Sequence, residues 1–156
     1  MKGEDIMTRA EKAESFFKQG YNCAQAIALA FEDLLPVNGE TLTKLTSSFG
    51  GGMGRLREVC GAMSSAFAVC GMLYGYSGPE TGEPKAQHYA RIQELAKRFE
   101  AKWGTIVCRE LLELEVKHDS SVPEARTAQY YEKRPCPRII YDAAEILDEY
   151  IEEQNK

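Results

Sequence analysis

The stretch from residue 59 to 78 carries no charged side chain, and this feature most limits how the chain can fold. An apolar stretch of this length could cross about 30 Å of hydrocarbon. Three serines and four glycines dilute its hydrophobicity, however, and the segments on both sides have the amphipathic pattern of helices in soluble proteins. We therefore predict a buried central helix over about residues 58–76 and no membrane span.

The rest of the chain has helical periodicity, and no segment alternates apolar and polar residues as a half-buried strand does. A chain of 156 residues can form one domain with a real core but is too short for two ordinary domains. We predict an all-α fold, a single domain over residues 1–156 in which about six helices surround the central one. The expected surrounding helices cover 6–17, 24–35, 40–48, 89–103, 105–114 and 136–151.

Charge and motif content exclude several classes of function. The net charge of −5 is spread along the chain without a basic stripe, so we expect no nucleic-acid partner. The first sixteen residues are charged throughout and contain no secretory signal, which favours a cytoplasmic protein. The glycine-rich run "FGGGMG" lacks the Gly-Lys-Ser/Thr of a phosphate loop, so no nucleotide is expected.

We assign no functional role to four arginine and histidine side chains. Arg55 and Arg57 follow the glycine-rich run and could hold an anion near Cys60, but we interpret them as solvated surface residues. His88 is placed on a polar helix flank and His118 in a loop.

The five cysteines fall into two groups. Their number is odd and none lies in a C-x-x-C pair, which argues against a disulfide framework. Cys70 lies in the apolar row of the predicted central helix, where a thiol usually acts as a small hydrophobic residue. The other four all fall at predicted helix N-termini: Cys23, Cys60, Cys108 and Cys136.

A helix N-terminus presents unpaired N–H groups and the positive end of the helix dipole, both of which favour a thiolate over a thiol. Thiolates attack disulfides, bind metals and hold iron–sulfur clusters. Four helix starts can face one point in a helical bundle. The alternative is that these cysteines fall at helix starts by chance.

Four motifs resemble the redox-active C_GCAxxG_C_C family: "GYNCAQAI", "FGGGMGRLREVCGAMSSA", "VCRELL" and "CPRIIYDAAEIL". The resemblance extends from about residue 10 to 150 and matches the four family cysteines to Cys23, Cys60, Cys108 and Cys136. Ser65 stands where the family motif has its last glycine. A similar domain occurs in split-Soret cytochromes, where an iron–sulfur centre accompanies the haems. This chain has no C-x-x-C-H, so no haem is expected.

Three hypotheses remain open. In the first, the four cysteines hold an iron–sulfur cluster or other thiolate-bound metal that transfers electrons. In the second, the protein is a metal-free dithiol oxidoreductase in which Cys60 is the nucleophile and Cys23 is a second catalytic thiol. In the third, the cysteines bind structural zinc, or the chain is a helical scaffold without turnover. The redox partner is unknown, and the small-residue stripe of the central helix could support a homodimer.

Overall fold

The computed structural model describes residues 6–79, 82–115 and 118–156, so the charged N-terminal stretch is described only from residue 6. Over these residues the chain forms helices and no β-strand, which confirms the all-α prediction. No helix in the described part is both long and apolar enough to cross a membrane. The helices are α1 (Arg9–Lys18), α2 (Cys23–Ala30), α3 (Gly39–Thr46), α4 (Gly50–Met53), α5 (Gly61–Tyr74), α6 (Glu83–Trp103), α7 (Cys108–Leu111), α8 (Ala128–Lys133) and α9 (Cys136–Gln154), with 3-10 turns at Glu32–Leu34 and Ser47–Phe49. Of these, α4 is a left-handed turn rather than a regular α-helix, since Gly51, Gly52 and Met53 have positive φ.

The long helices pack around a shared apolar core. Helix α1 lies against α2 and α9, and the uncharged helix α5 lies against α2, α6 and α9. The N-terminal half of α5 is almost completely buried, whereas its last turn is partly open to solvent. The largest fully buried side chains are Phe17, Phe31, Phe99, Ile27, Leu42, Met63, Leu95, Ile140 and Leu147.

Several helix ends lie where the sequence predicts them. The Asn22 side chain accepts the N–H of Gln25, and the Gln25 side chain accepts the N–H of Asn22, which makes a capping box at the start of α2. Gly104 ends α6 with a left-handed backbone, and α9 begins at Cys136, next to Pro137.

Other boundaries differ from the prediction. Helix α2 ends at Ala30, short of the predicted 35, and a 3-10 turn follows. In that turn Asp33 accepts two hydrogen bonds from the Arg9 guanidinium of α1, at 2.6 and 2.9 Å. Local hydrophobic periodicity does not predict this ion pair, because its two residues lie far apart in the sequence. Helix α8 was not predicted, because its six residues are too few to establish a periodic stripe.

His88 does not lie on a polar flank as predicted. It is 9 % exposed, and its Nε2 lies 3.7 Å from the point where a Cβ on Gly71 would stand. The imidazole therefore packs between α5 and α6. Burial lowers the pKa of His88, because the charged form would be poorly solvated there.

The hydroxyl of Ser65 is buried and has no hydrogen-bond partner among the described residues. The residue is fully buried in α5, and no described residue hydrogen-bonds its Oγ. A buried unpaired hydroxyl costs about 1–3 kcal/mol. We therefore expect Ser65→Ala to raise the free energy of unfolding by about 1 kcal/mol, as measured by urea denaturation. The matched control is Ser48→Ala, at an exposed site, which should change stability by less than about 0.5 kcal/mol. A loss of stability in Ser65→Ala would contradict this assignment.

Candidate functional site

Cys60 and Cys108 are brought together by a single β-bridge. Val59 and Val107, the residues just before them, form an isolated antiparallel bridge. The Cys60 N–H donates to the carbonyl of Ile106 at 2.7 Å, and the Cys108 N–H donates to the carbonyl of Glu58 at 2.6 Å. The bridge therefore fixes the starts of α5 and α7 side by side, and each cysteine is 7 % exposed.

The N-terminal cap of α2 places Cys23 next to Cys60. The Asn22 side-chain amide donates to the carbonyl of Ser47 at 3.1 Å, which holds the start of α2 against the segment that leads to α5. The approach is close enough that a Cβ on Gly61 would lie 2.6 Å from the Cys23 Sγ. The Cys23 sulfur therefore packs directly against the residue that follows Cys60.

All four predicted cysteines line one cavity of about 280 Å³: Cys23, Cys60, Cys108 and Cys136. Cys136 is partly exposed and enters the lining as the first residue of α9. Cys70 does not line this cavity; it is fully buried in the core, where burial raises the pKa of its thiol to about 11. The structure therefore brings together the four cysteines at helix starts and separates the fifth from them.

Backbone N–H groups act on two of the sulfurs, as expected for helix N-termini. Hydrogen bonds from Gly51 and Ala24 lower the pKa of Cys23, and hydrogen bonds from Met63 and Ala62 lower the pKa of Cys60. Burial is nevertheless the larger effect, so the pKa of each thiol is raised, and that of Cys60 is raised well above its ordinary value. The expectation that helix N-termini favour the thiolate is therefore outweighed here by desolvation.

The sulfurs also act on one another. After burial, the charge of Cys23 is the next cause that raises the pKa of Cys60. Burial, followed by the charges of Cys23 and Cys108, raises the pKa of Cys136 to about 12. Mutual repulsion of this kind disfavours several thiolates in one cavity without a nearby cation.

Arg57 is buried at this cavity, so its interpretation as a solvated surface residue is wrong. It is 5 % exposed; its Nη1 lies 3.5 Å from the Cys108 Sγ, and its Nη2 donates to the Asp119 carboxylate at 3.0 Å. Any anion near Arg57 would therefore lie beside Cys108 rather than Cys60.

A left-handed turn directs Arg57 inward. Gly51, Gly52, Met53, Gly54 and Arg55 all have positive φ, and Arg57 has φ of 61°. The glycine-rich sequence signals a turn, but nothing in it indicates that non-glycine residues continue the left-handed backbone.

The four thiols are the soft donors that this cavity presents. No group of three or more His, Cys, Asp or Glu within the described ranges is arranged to hold one metal ion. Four thiols are the donor set of iron–sulfur clusters and also of tetrahedral structural zinc.

Comparison with known proteins gives one match. A family model described as "Putative redox-active protein (C_GCAxxG_C_C)" matches residues 21–150, a range that includes all four cavity cysteines. The search of curated proteins and the search of solved structures found no match.

Proposed function

Because the chain belongs to the C_GCAxxG_C_C family, we propose that its four cavity cysteines form one redox centre that transfers electrons. In this proposal Cys23, Cys60, Cys108 and Cys136 ligate an iron–sulfur cluster. The observation that carries it is the lining of a single cavity by all four thiols, although they are distant in sequence.

An iron–sulfur cluster, when bound, supplies one-electron transfer at a potential set by charge, hydrogen bonds to sulfur and solvent access. Residues around the cavity influence the hydrogen bonds to sulfur and the access of solvent. The backbone N–H groups at the starts of α2 and α5 donate to Cys23 and Cys60 and stabilise negative charge on sulfur. Apolar side chains limit the access of water to the centre, and those that line the cavity include Phe17, Leu111, Ile139 and Ile140.

The test is the iron and sulfide content of protein purified without oxygen. We expect both, together with the broad visible absorption of thiolate-bound iron. Each single change of Cys23, Cys60, Cys108 or Cys136 to serine should remove most of the iron, because every thiolate supplies one of four ligands. The control Cys70→Ser should keep it, since Cys70 does not line the cavity.

Two results would contradict the cluster. One equivalent of zinc without iron would indicate a structural metal site, and four reactive thiols without metal would indicate dithiol chemistry. Equal iron loss in all five serine variants, Cys70→Ser included, would remove the distinction between the four cysteines and the fifth.

Dithiol chemistry is the second candidate, and the packing of Cys23 against Gly61 favours it. A thiolate would attack a disulfide substrate and form a mixed disulfide; the second thiol would then displace the substrate as a dithiol and leave a Cys23–Cys60 disulfide. Burial argues against Cys60 as the attacking group, because it is 7 % exposed and its pKa is raised. In this alternative Cys23, which is partly exposed, is the better nucleophile and Cys60 the resolving thiol.

A further inference from the structure

We propose that Arg57, held by Asp119, is a positioning residue that compensates negative charge on the Cys108 sulfur and so raises the reduction potential of the centre. The inference rests on the proposed redox function and adds to it the residue that sets the potential. It follows from the contacts of the Arg57 guanidinium, from the local charge count and from the backbone that holds the residue.

The Arg57 guanidinium is a buried cation with two side-chain partners in the described part of the chain. Nη1 faces the Cys108 sulfur at 3.5 Å, Nη2 faces Asp119 at 3.0 Å, and Nε has no hydrogen-bond partner among the described residues. Burial of an arginine is costly unless nearby negative charge compensates it. One of the two groups that can supply this charge is the sulfur.

The single charge of Asp119 does not neutralise both guanidinium groups beside it. Its carboxylate also pairs with Arg55 at 3.1 Å, so two guanidinium groups share one carboxylate. The group of three therefore has one excess positive charge, and the contact of Arg57 directs that charge toward Cys108. A thiolate or a cluster that gains an electron at this position is stabilised.

The backbone of Arg57 has a left-handed conformation, which is uncommon for arginine. Its φ of 61° lies in the left-handed region, which costs about 1 kcal/mol or more for a residue other than glycine. The strained residue is fixed on both sides: its N–H donates to Gly51, and its carbonyl accepts from the Arg109 side chain at 3.0 Å. Strain maintained in this way is typical of functional sites.

The experiment compares midpoint potentials of the purified protein in three variants. Arg57→Gln should lower the potential, because the reduced centre loses a stabilising cation. Asp119→Asn should raise it, because the guanidinium charge is then no longer shared with a carboxylate. Arg138→Gln is the matched control: it also removes one arginine near a cavity cysteine, but that side chain is 67 % exposed and solvent screens it, so no shift is expected.

Opposite shifts at neighbouring residues distinguish charge compensation from a structural role, since mere disruption would move both potentials in one direction. Shifts of the same sign, or no shift, would overturn the inference. If Arg57→Gln does not fold, Asp119→Asn decides alone: an unchanged or lowered potential overturns it.

Failure of the proposed function can be told apart from failure of this inference. If the wild-type protein carries no cluster, the contact between Arg57 and Cys108 is measured in the metal-free protein by a double-mutant cycle in urea denaturation. The losses of stability in Arg57→Gln and Cys108→Ala should not add in the double variant, because the two side chains are in contact at 3.5 Å. Additive losses would overturn the role of Arg57.

Discussion

Gly61→Ala is expected to lower the free energy of unfolding by about 3 kcal/mol or more, although alanine is the better helix former. An alanine Cβ at this position would lie 2.5 Å from the carbonyl oxygen of Phe49 and 2.6 Å from the Cys23 Sγ. The Phe49 contact is with backbone, which cannot rotate away, so the start of α5 would be pushed off the segment that precedes it. Urea denaturation measures the loss. The iron content of the proposed centre should fall with it, because Cys23 and Cys60 would separate.

Gly71→Ala provides the control within the same helix. Its Cβ would meet only the His88 Nε2, at 3.7 Å, which is ordinary van der Waals contact. Alanine in a helix interior is favoured over glycine by about 0.5–1 kcal/mol, so this variant should be more stable than the wild type. A similar loss of stability in both variants would show that close packing at Gly61 is not the cause.

The helical elements could be predicted because their signals are local. The Asn22 cap needs only Gln25 three residues later, and the end of α6 needs only Gly104. The four cysteines were assigned to helix starts in the same way. In the structure Cys23, Cys108 and Cys136 are first residues of their helices, and Cys60 immediately precedes α5.

The convergence of the four sulfurs could not be derived from local patterns. It depends on the bridge between Val59 and Val107, which pairs segments far apart in the chain and is too short to leave an alternating pattern. The inward position of Arg57 depends on a left-handed backbone that includes Met53 and Arg55, against their ordinary preference. Disagreement between local preference and structure is expected at functional sites, where strain is retained for another purpose.

The β-bridge and the left-handed turn both position Cys108. The bridge fixes the Cys108 backbone, and the left-handed turn brings both Gly52 and Arg57 against its side chain. A Cβ on Gly52 would lie 2.6 Å from the Cys108 Cβ, so the turn can approach α7 only because this residue is glycine. The glycine at position 52 is thus explained by close packing against the Cys108 side chain.

Gly52→Ala is accordingly expected to lower the free energy of unfolding by about 3 kcal/mol or more and to impair the thiol centre. Besides Cys108, the new Cβ would meet the Arg57 Cα and the Glu58 N at 2.9 Å each, and φ at Gly52 is 70°. The substitution therefore adds steric overlap with backbone to the cost of a left-handed alanine. The free energy of unfolding, measured by urea denaturation, and the iron content of the proposed centre in the same preparation should both fall.

Gly54→Ala separates these two costs. Gly54 has φ of 58° in the same turn, but a Cβ there would have no neighbour within 4 Å. It should therefore show only the left-handed penalty of about 1–2 kcal/mol and keep its iron. If Gly52→Ala were no more destabilising than Gly54→Ala and kept its iron, contact between the turn and Cys108 would not be what holds this side of the cavity in place.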